Sequence, residues 1–146
     1  MVIVDDHLAL LVLADALNEQ ELGGRPAITS LWYLRLVSAI TRPVDGVSGP
    51  GSLRRLFEGI AEGAVEALRG RVLDPPRRVL EVLHLMDFAQ EMAHVQRAHR
   101  VNLITAEAIG AAVHFNAPVT VAQPNAGGPL EATAADMGLD YRIRDA

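Results

Sequence analysis

Two short β-branched runs, Val2-Ile3-Val4 and Pro118-Val119-Thr120-Val121-Ala122, lie more than a hundred residues apart, and helical periodicity follows each. A run that is apolar at every position, rather than at alternate ones, suits a strand buried on both faces. Such strands alternating with helices point to an α/β fold around a parallel sheet. The last third of the chain gives the clearest pattern: helix, Ala-Pro, strand, loop, helix, Gly, strand.

Between these runs the expected elements follow from periodicity and punctuation. His7 to Glu19 is rich in Leu and Ala and reads as a helix, stopped by Gly23-Gly24 and Pro26. Thr29 or Ser30 is placed to cap a helix over Leu31 to Ile40. Arg42 to Ser52 reads as a loop from its Gly and Pro content. Leu53 to Arg69 reads as a helix, Val72-Leu73 as a short strand, Arg77 to Arg100 as one long helix, and Leu103 to Phe115 as another. Gln123 to Pro129 reads as a loop, Leu130 to Met137 as a helix ended by Gly138, and Leu139 to Ile143 as a final strand. No internal repeat or dividing linker appears, so residues 1–146 are expected to form a single domain.

Composition removes several chemistries. The chain has no cysteine, which excludes disulfides, zinc-thiolate sites and thiol nucleophiles. All 13 basic residues are arginine, so a phosphate-loop lysine and a Schiff base are excluded too. A formal charge of -5 gives no general grip on nucleic acid, although a local arginine patch such as Arg54-Arg55, Arg77-Arg78, Arg97 and Arg100 remains open. Acids at positions 5, 6 and 15 interrupt the apolar N-terminal stretch, which reads as neither a signal peptide nor a membrane span. The expected location is the cytoplasm.

Asp5 and Asp6 follow the first strand. Ligands of open parallel sheets gather outside the carboxyl ends of strands, where Asp5 would sit. Divalent-ion chemistry on phosphodiesters needs several acids from separate segments meeting in one cleft. The plainer reading is that both acids cap the helix after them, where free N–H groups and the helix dipole favour a carboxylate. Glu107, in or near the first turn of its helix, has the same two readings. Glu107, Gly110 and His114 share one helical face, and Gly110 there suits close packing against a neighbouring helix.

MVIVDDHLALL and AEAIGAAVHFNAPVTVAQPNAGGPLEATAADMGLDYRI resemble the opening and the ending of PIN-domain proteins, over roughly residues 1–20 and 100–144. The resemblance implies a three-layer PIN-like α/β fold, with a central parallel sheet flanked by helices. It implies a Mg²⁺- or Mn²⁺-dependent ribonuclease, of the kind found as VapC-like toxins paired with an antitoxin protein. By the resemblance Asp5 and Glu107 are the catalytic acids. Asp5, Asp6, Glu107 and Asn125 are the candidate metal ligands, with Asn125 offering its carbonyl. The chain departs from the family at three places. Thr29 to Ile40 contains no acid where the family usually carries a Glu. Gln123, Pro124 and Asn125 stand where an Asp usually follows the second strand. His7 stands where a small hydroxyl or amide is common. With fewer charges, metal binding is expected to be weak or absent, and the alternative is an inactive PIN-like module that binds a protein or RNA.

Two further patterns carry less. Glu81-x-x-His84 and Glu91-x-x-His94 have the spacing of di-iron carboxylate bundles. On one helix they would lie about 15 Å apart along the axis, too far to share a site. Trp32 and Tyr33 begin an apolar helix and suggest core packing or a homodimer interface.

Overall fold

The computed structural model describes residues 1–41, 53 and 62–145. The expected loop over 42–52, the Gly49–Ser52 turn, the pair Arg54-Arg55 and residues 54–61 of the helix expected from Leu53 lie outside the described residues. Five parallel strands form one sheet in the order β3-β2-β1-β4-β5. They are β1 (Val2–Val4), β2 (Pro26–Thr29), β3 (Glu81–Leu83), β4 (Val119–Ala122) and β5 (Tyr141–Arg144). Among the described residues, seven helices flank the sheet: α1 (Asp6–Leu13), α2 (Glu19–Leu22), α3 (Ser30–Ile40), α4 (Glu62–Leu73), α5 (Ala89–His99), α6 (Leu103–Phe115) and α7 (Gly128–Asp136). This is the α/β class expected from the alternating runs, in a three-layer PIN-like arrangement.

The central strands explain their own composition. Val2, Ile3 and Val4 are at most 1% exposed, because β1 is paired on both edges and covered on both faces. Fully burying each such side chain contributes about 1.5–3 kcal/mol. The chain leaves β1 for β2 on one side and places β4 on the other. The sheet order therefore switches between β1 and β4, and a crevice forms beyond the carboxyl ends of these strands.

Several boundaries differ from the sequence expectation. The helix expected over His7–Glu19 is two helices. It breaks after Leu13, where Asp15 takes a left-handed conformation (φ 57°), and restarts at Asn18. Asn18 accepts the N–H of Glu21 while Glu21 accepts that of Asn18, a reciprocal cap that starts a new helix locally. Pro26–Thr29 is a strand, where only a cap position was expected. Pro26 is tolerated because it opens the strand. Val72-Leu73 ends α4 and is not a strand.

The largest correction concerns Arg77–Arg100. Glu81–Leu83 is β3, Leu85–Phe88 is a 3-10 turn, and only Ala89–His99 is helical. Leu80 and Leu83 are buried three residues apart, a spacing that imitates a helical face. Pairing of β3 with β2 decides the matter. The Leu103–Phe115 helix stands as expected. The expected loop over Gln123–Pro129 contains a 3-10 turn, Gln123–Asn125, and the start of α7. The last strand begins at Tyr141 rather than Leu139.

Gly110 packs α6 on α5, as its place on the helix suggests. A β-carbon there would meet the backbone N and Cα of Met92 at 2.9 Å. Trp32 is 2% exposed within the chain's own core, so it supplies no ground for an interface. Among the described residues, no helix is long and apolar enough to cross a membrane.

Candidate functional site

The switch in sheet order places Asp5 at the carboxyl end of β1 and Asn125 just beyond β4. Asp5 is the N-cap of α1, and its Oδ1 accepts the N–H of Leu8 at 2.9 Å. Its Oδ2 accepts the Ala122 N–H at 2.9 Å and the Asn125 side-chain amide at 2.7 Å. One carboxylate thus caps a helix and ties β1 to the end of β4. Asp5 is wholly buried, and loss of water pushes its pKa above the ordinary 3.8, opposed in part by the donors from Leu8 and Asn125.

Asp6 is also wholly buried. Its Oδ1 accepts the N–H of His7 at 3.0 Å and a second N–H from Asn125 at 2.9 Å. Asn125 therefore donates from its side-chain amide nitrogen to both acids of the pair. Asp6 Oδ2 accepts no hydrogen bond, but Nε of Arg35 faces it at 3.1 Å. Arg35 lies at the middle of α3, the helix that lacks the expected acid.

Glu107 is the third wholly buried carboxylate. Oε2 accepts the Leu31 N–H at 2.8 Å, and Oε1 accepts the Ser30 hydroxyl. Thr29 sits at the N-cap position of α3 but makes no side-chain cap bond. Glu107 supplies that cap from another helix.

The four sequence-selected residues thus divide into two groups. Asp5, Asp6 and Asn125 meet in one hydrogen-bonded cluster, while Glu107 is bonded to the start of α3. Arg35 was missed, and Ser30 was read only as a candidate helix cap, not as a partner of Glu107. Their sequence signals are faint: Arg35 is the only charged residue in Ser30–Ile40, and Ser30 precedes an apolar run. His7, although buried, makes no hydrogen bond through Nδ1.

Mg²⁺ and Mn²⁺ prefer hard oxygen ligands, which Mg²⁺ holds at about 2.0–2.1 Å in near-octahedral geometry. As arranged here, the residues do not fit such an ion. Both oxygens of Asp5 and of Glu107 face N–H or O–H donors, Asn125 presents hydrogens rather than its carbonyl, and Arg35 fronts the remaining oxygen of Asp6. Among the described residues, no three of His, Asp and Glu converge as a metal-binding group. The two Glu-x-x-His segments fall on different elements, β3 with its following turn and α5. Glu91 pairs with His114 of α6 at 2.9 Å instead of joining a shared centre.

Beside the cluster lies a cleft of about 190 Å³, lined by Trp32, Arg35, Asn102, Thr105, Asn125 and Gly127 among others. Arg35 forms part of its wall and is 31% exposed. Comparison with known protein families, curated proteins and solved structures finds no match for this chain.

Proposed function

We propose that this chain is a cytoplasmic PIN-like recognition module whose acid cleft holds the fold together instead of holding a catalytic ion. The observation that carries this reading is Asn125, which donates to Asp5 and to Asp6 at once. A neutral donor there satisfies acceptor oxygens that a cation would otherwise take, without adding charge. Arg35 supplies the charge that Asn125 lacks. A buried, hydrogen-bonded acid cluster of this kind fixes the geometry of β1, β4 and α1.

The partner is read as a protein. The formal charge of -5 opposes a polyanion, and consecutive Leu85 and Met86 stand 39% and 89% exposed. An antitoxin-like protein fits this description, as does a second copy of the chain.

The competing reading, a metal-dependent ribonuclease, keeps one support. Asp5 and Asp6 lie at the switch in sheet order, where α/β proteins bind their ligands. Incubation with structured and unstructured RNAs in Mg²⁺ or Mn²⁺ separates the two. The recognition reading expects no cleavage above the level of Asp5→Asn. Metal-dependent cleavage that Asp5→Asn abolishes would sink it.

A further inference from the structure

We propose that Arg35 is the resident cation of the Asp5–Asp6 pair, and that neutralising its side chain opens the pair to a divalent ion. The inference rests on the reading of the acid cleft as internally satisfied. It adds which group keeps an ion out and how easily that group is removed.

Three carboxylates, Asp5, Asp6 and Glu107, are each 0% exposed. Arg35 is the one described cation against them in an ion pair. Burying an ion without compensation is strongly unfavourable, so charge balance here depends heavily on that arginine. The four oxygens of Asp5 and Asp6 are not held alike. Leu8, Ala122 and His7 bind three of them through backbone N–H groups, fixed by α1 and the end of β4. Asp6 Oδ2 has no hydrogen-bond donor and faces only the end of a flexible side chain. It is a buried oxygen whose one described partner is the Arg35 ion pair.

The route out is present. Arg35 borders the cleft that also touches Asn125, and its side chain is 31% exposed, so open space lies beside the guanidinium. In the intact chain the arginine is tethered, and a tethered competitor acts at an effective concentration of millimolar or above. A weak divalent site built on two carboxylates loses that competition at ordinary ion levels. Remove the charge, and Asp6 Oδ2 becomes a free hard ligand beside Asp5. The Asn125 amide can then rotate to offer its carbonyl oxygen.

The test uses the full chain, stripped by chelator and titrated with MnCl₂, read by calorimetry and by the paramagnetic signal of free Mn²⁺. Wild type, Arg35→Gln, Arg35→Lys and the double variant Arg35→Gln/Asp6→Asn are compared. Arg35→Gln is expected to bind Mn²⁺ at least about tenfold tighter than wild type, about 1.4 kcal/mol. Arg35→Lys keeps the charge and is expected to gain little, and Asp6→Asn is expected to erase the gain. A folded Arg35→Gln no tighter than wild type overturns the proposal. So does an equal gain in Arg35→Lys, which would make space rather than charge the cause. Should Arg35→Gln unfold in chelator, refolding on Mn²⁺ addition supports the proposal and failure to refold overturns it. Tight Mn²⁺ binding by wild type would instead overturn the recognition reading, so the two failures are distinguishable.

Discussion

Glu107 Oε2 accepts the backbone N–H of Leu31 at 2.8 Å, joining residues 76 apart in sequence. The same carboxylate takes the Ser30 hydroxyl, so a buried side chain from α6 caps the start of α3. Glu107→Ala removes both bonds, leaves a buried N–H without a partner and opens a cavity. The expected loss is about 3 kcal/mol in urea unfolding. Glu107→Gln keeps one accepting oxygen, and the Ser30 hydroxyl can turn to accept, so about 1 kcal/mol is expected. Equal stability of Glu107→Ala and wild type would show that the cap contributes nothing.

Gly110 sets two local rules against each other. In an exposed helix, Gly→Ala gains about 1 kcal/mol of propensity. Here the added β-carbon meets the Met92 backbone at 2.9 Å, and backbone cannot yield as a side-chain tip does. Separation of α5 from α6 is expected to win, with Gly110→Ala destabilised by about 1–3 kcal/mol. A melting temperature above wild type would mean that the two helices are not in this contact.

The Glu91–His114 pair joins the same two helices at 2.9 Å. Its hydrogen bond to His114 holds the Glu91 carboxyl below the ordinary 4.5. A carboxyl depressed on folding contributes stability that is present above its unfolded pKa and lost as pH falls through its folded pKa. Wild type is therefore expected to exceed Glu91→Gln in stability near neutral pH. The gap should close on the acid side of 4.5. Denaturant midpoints measured from about pH 3 to pH 6 check this. A gap that stays constant over that range would remove the Glu91–His114 hydrogen bond as its cause.

How much of this was legible in sequence depended on whether an element's identity was local. β1 and β4 were readable because burial on both faces leaves continuous apolar runs, and α6 because its apolar stretch from Leu103 to Phe115 is long enough for a helix. β2 was hidden by its length and its opening Pro26. β3 was hidden because Leu80 and Leu83 satisfy a helical spacing, and only pairing with β2 makes the segment a strand. Of the four residues chosen as candidate metal ligands, Asp5, Asp6 and Asn125 meet in one hydrogen-bonded cluster, while Glu107 is bonded to the start of α3. What they do there was not readable, since it turns on Arg35. Nothing in the local pattern of α3 says that its lone charge reaches Asp6.

Asn125 gives the sharpest test of that arrangement. Its amide nitrogen stands 2.7 Å from Asp5 and 2.9 Å from Asp6. Asn125→Asp keeps the shape and replaces the donor with a third acceptor. Three carboxylates then share a buried space with one arginine, and at least one must hold a proton. Its folded pKa is raised, so the fold is favoured below the unfolded value of about 3.9 and penalised as pH rises through the folded one. The expected loss near neutral pH in chelator is about 3–5 kcal/mol, the scale of an uncompensated buried charge. Mn²⁺ at millimolar level is expected to recover much of it in Asn125→Asp and little in wild type, because only the variant gains a ligand and a charge. Urea midpoints with and without Mn²⁺ decide the matter. If Asn125→Asp is as stable as wild type in chelator at neutral pH, the amide does not hold the acids together, and the reading of the cluster as a structural network fails.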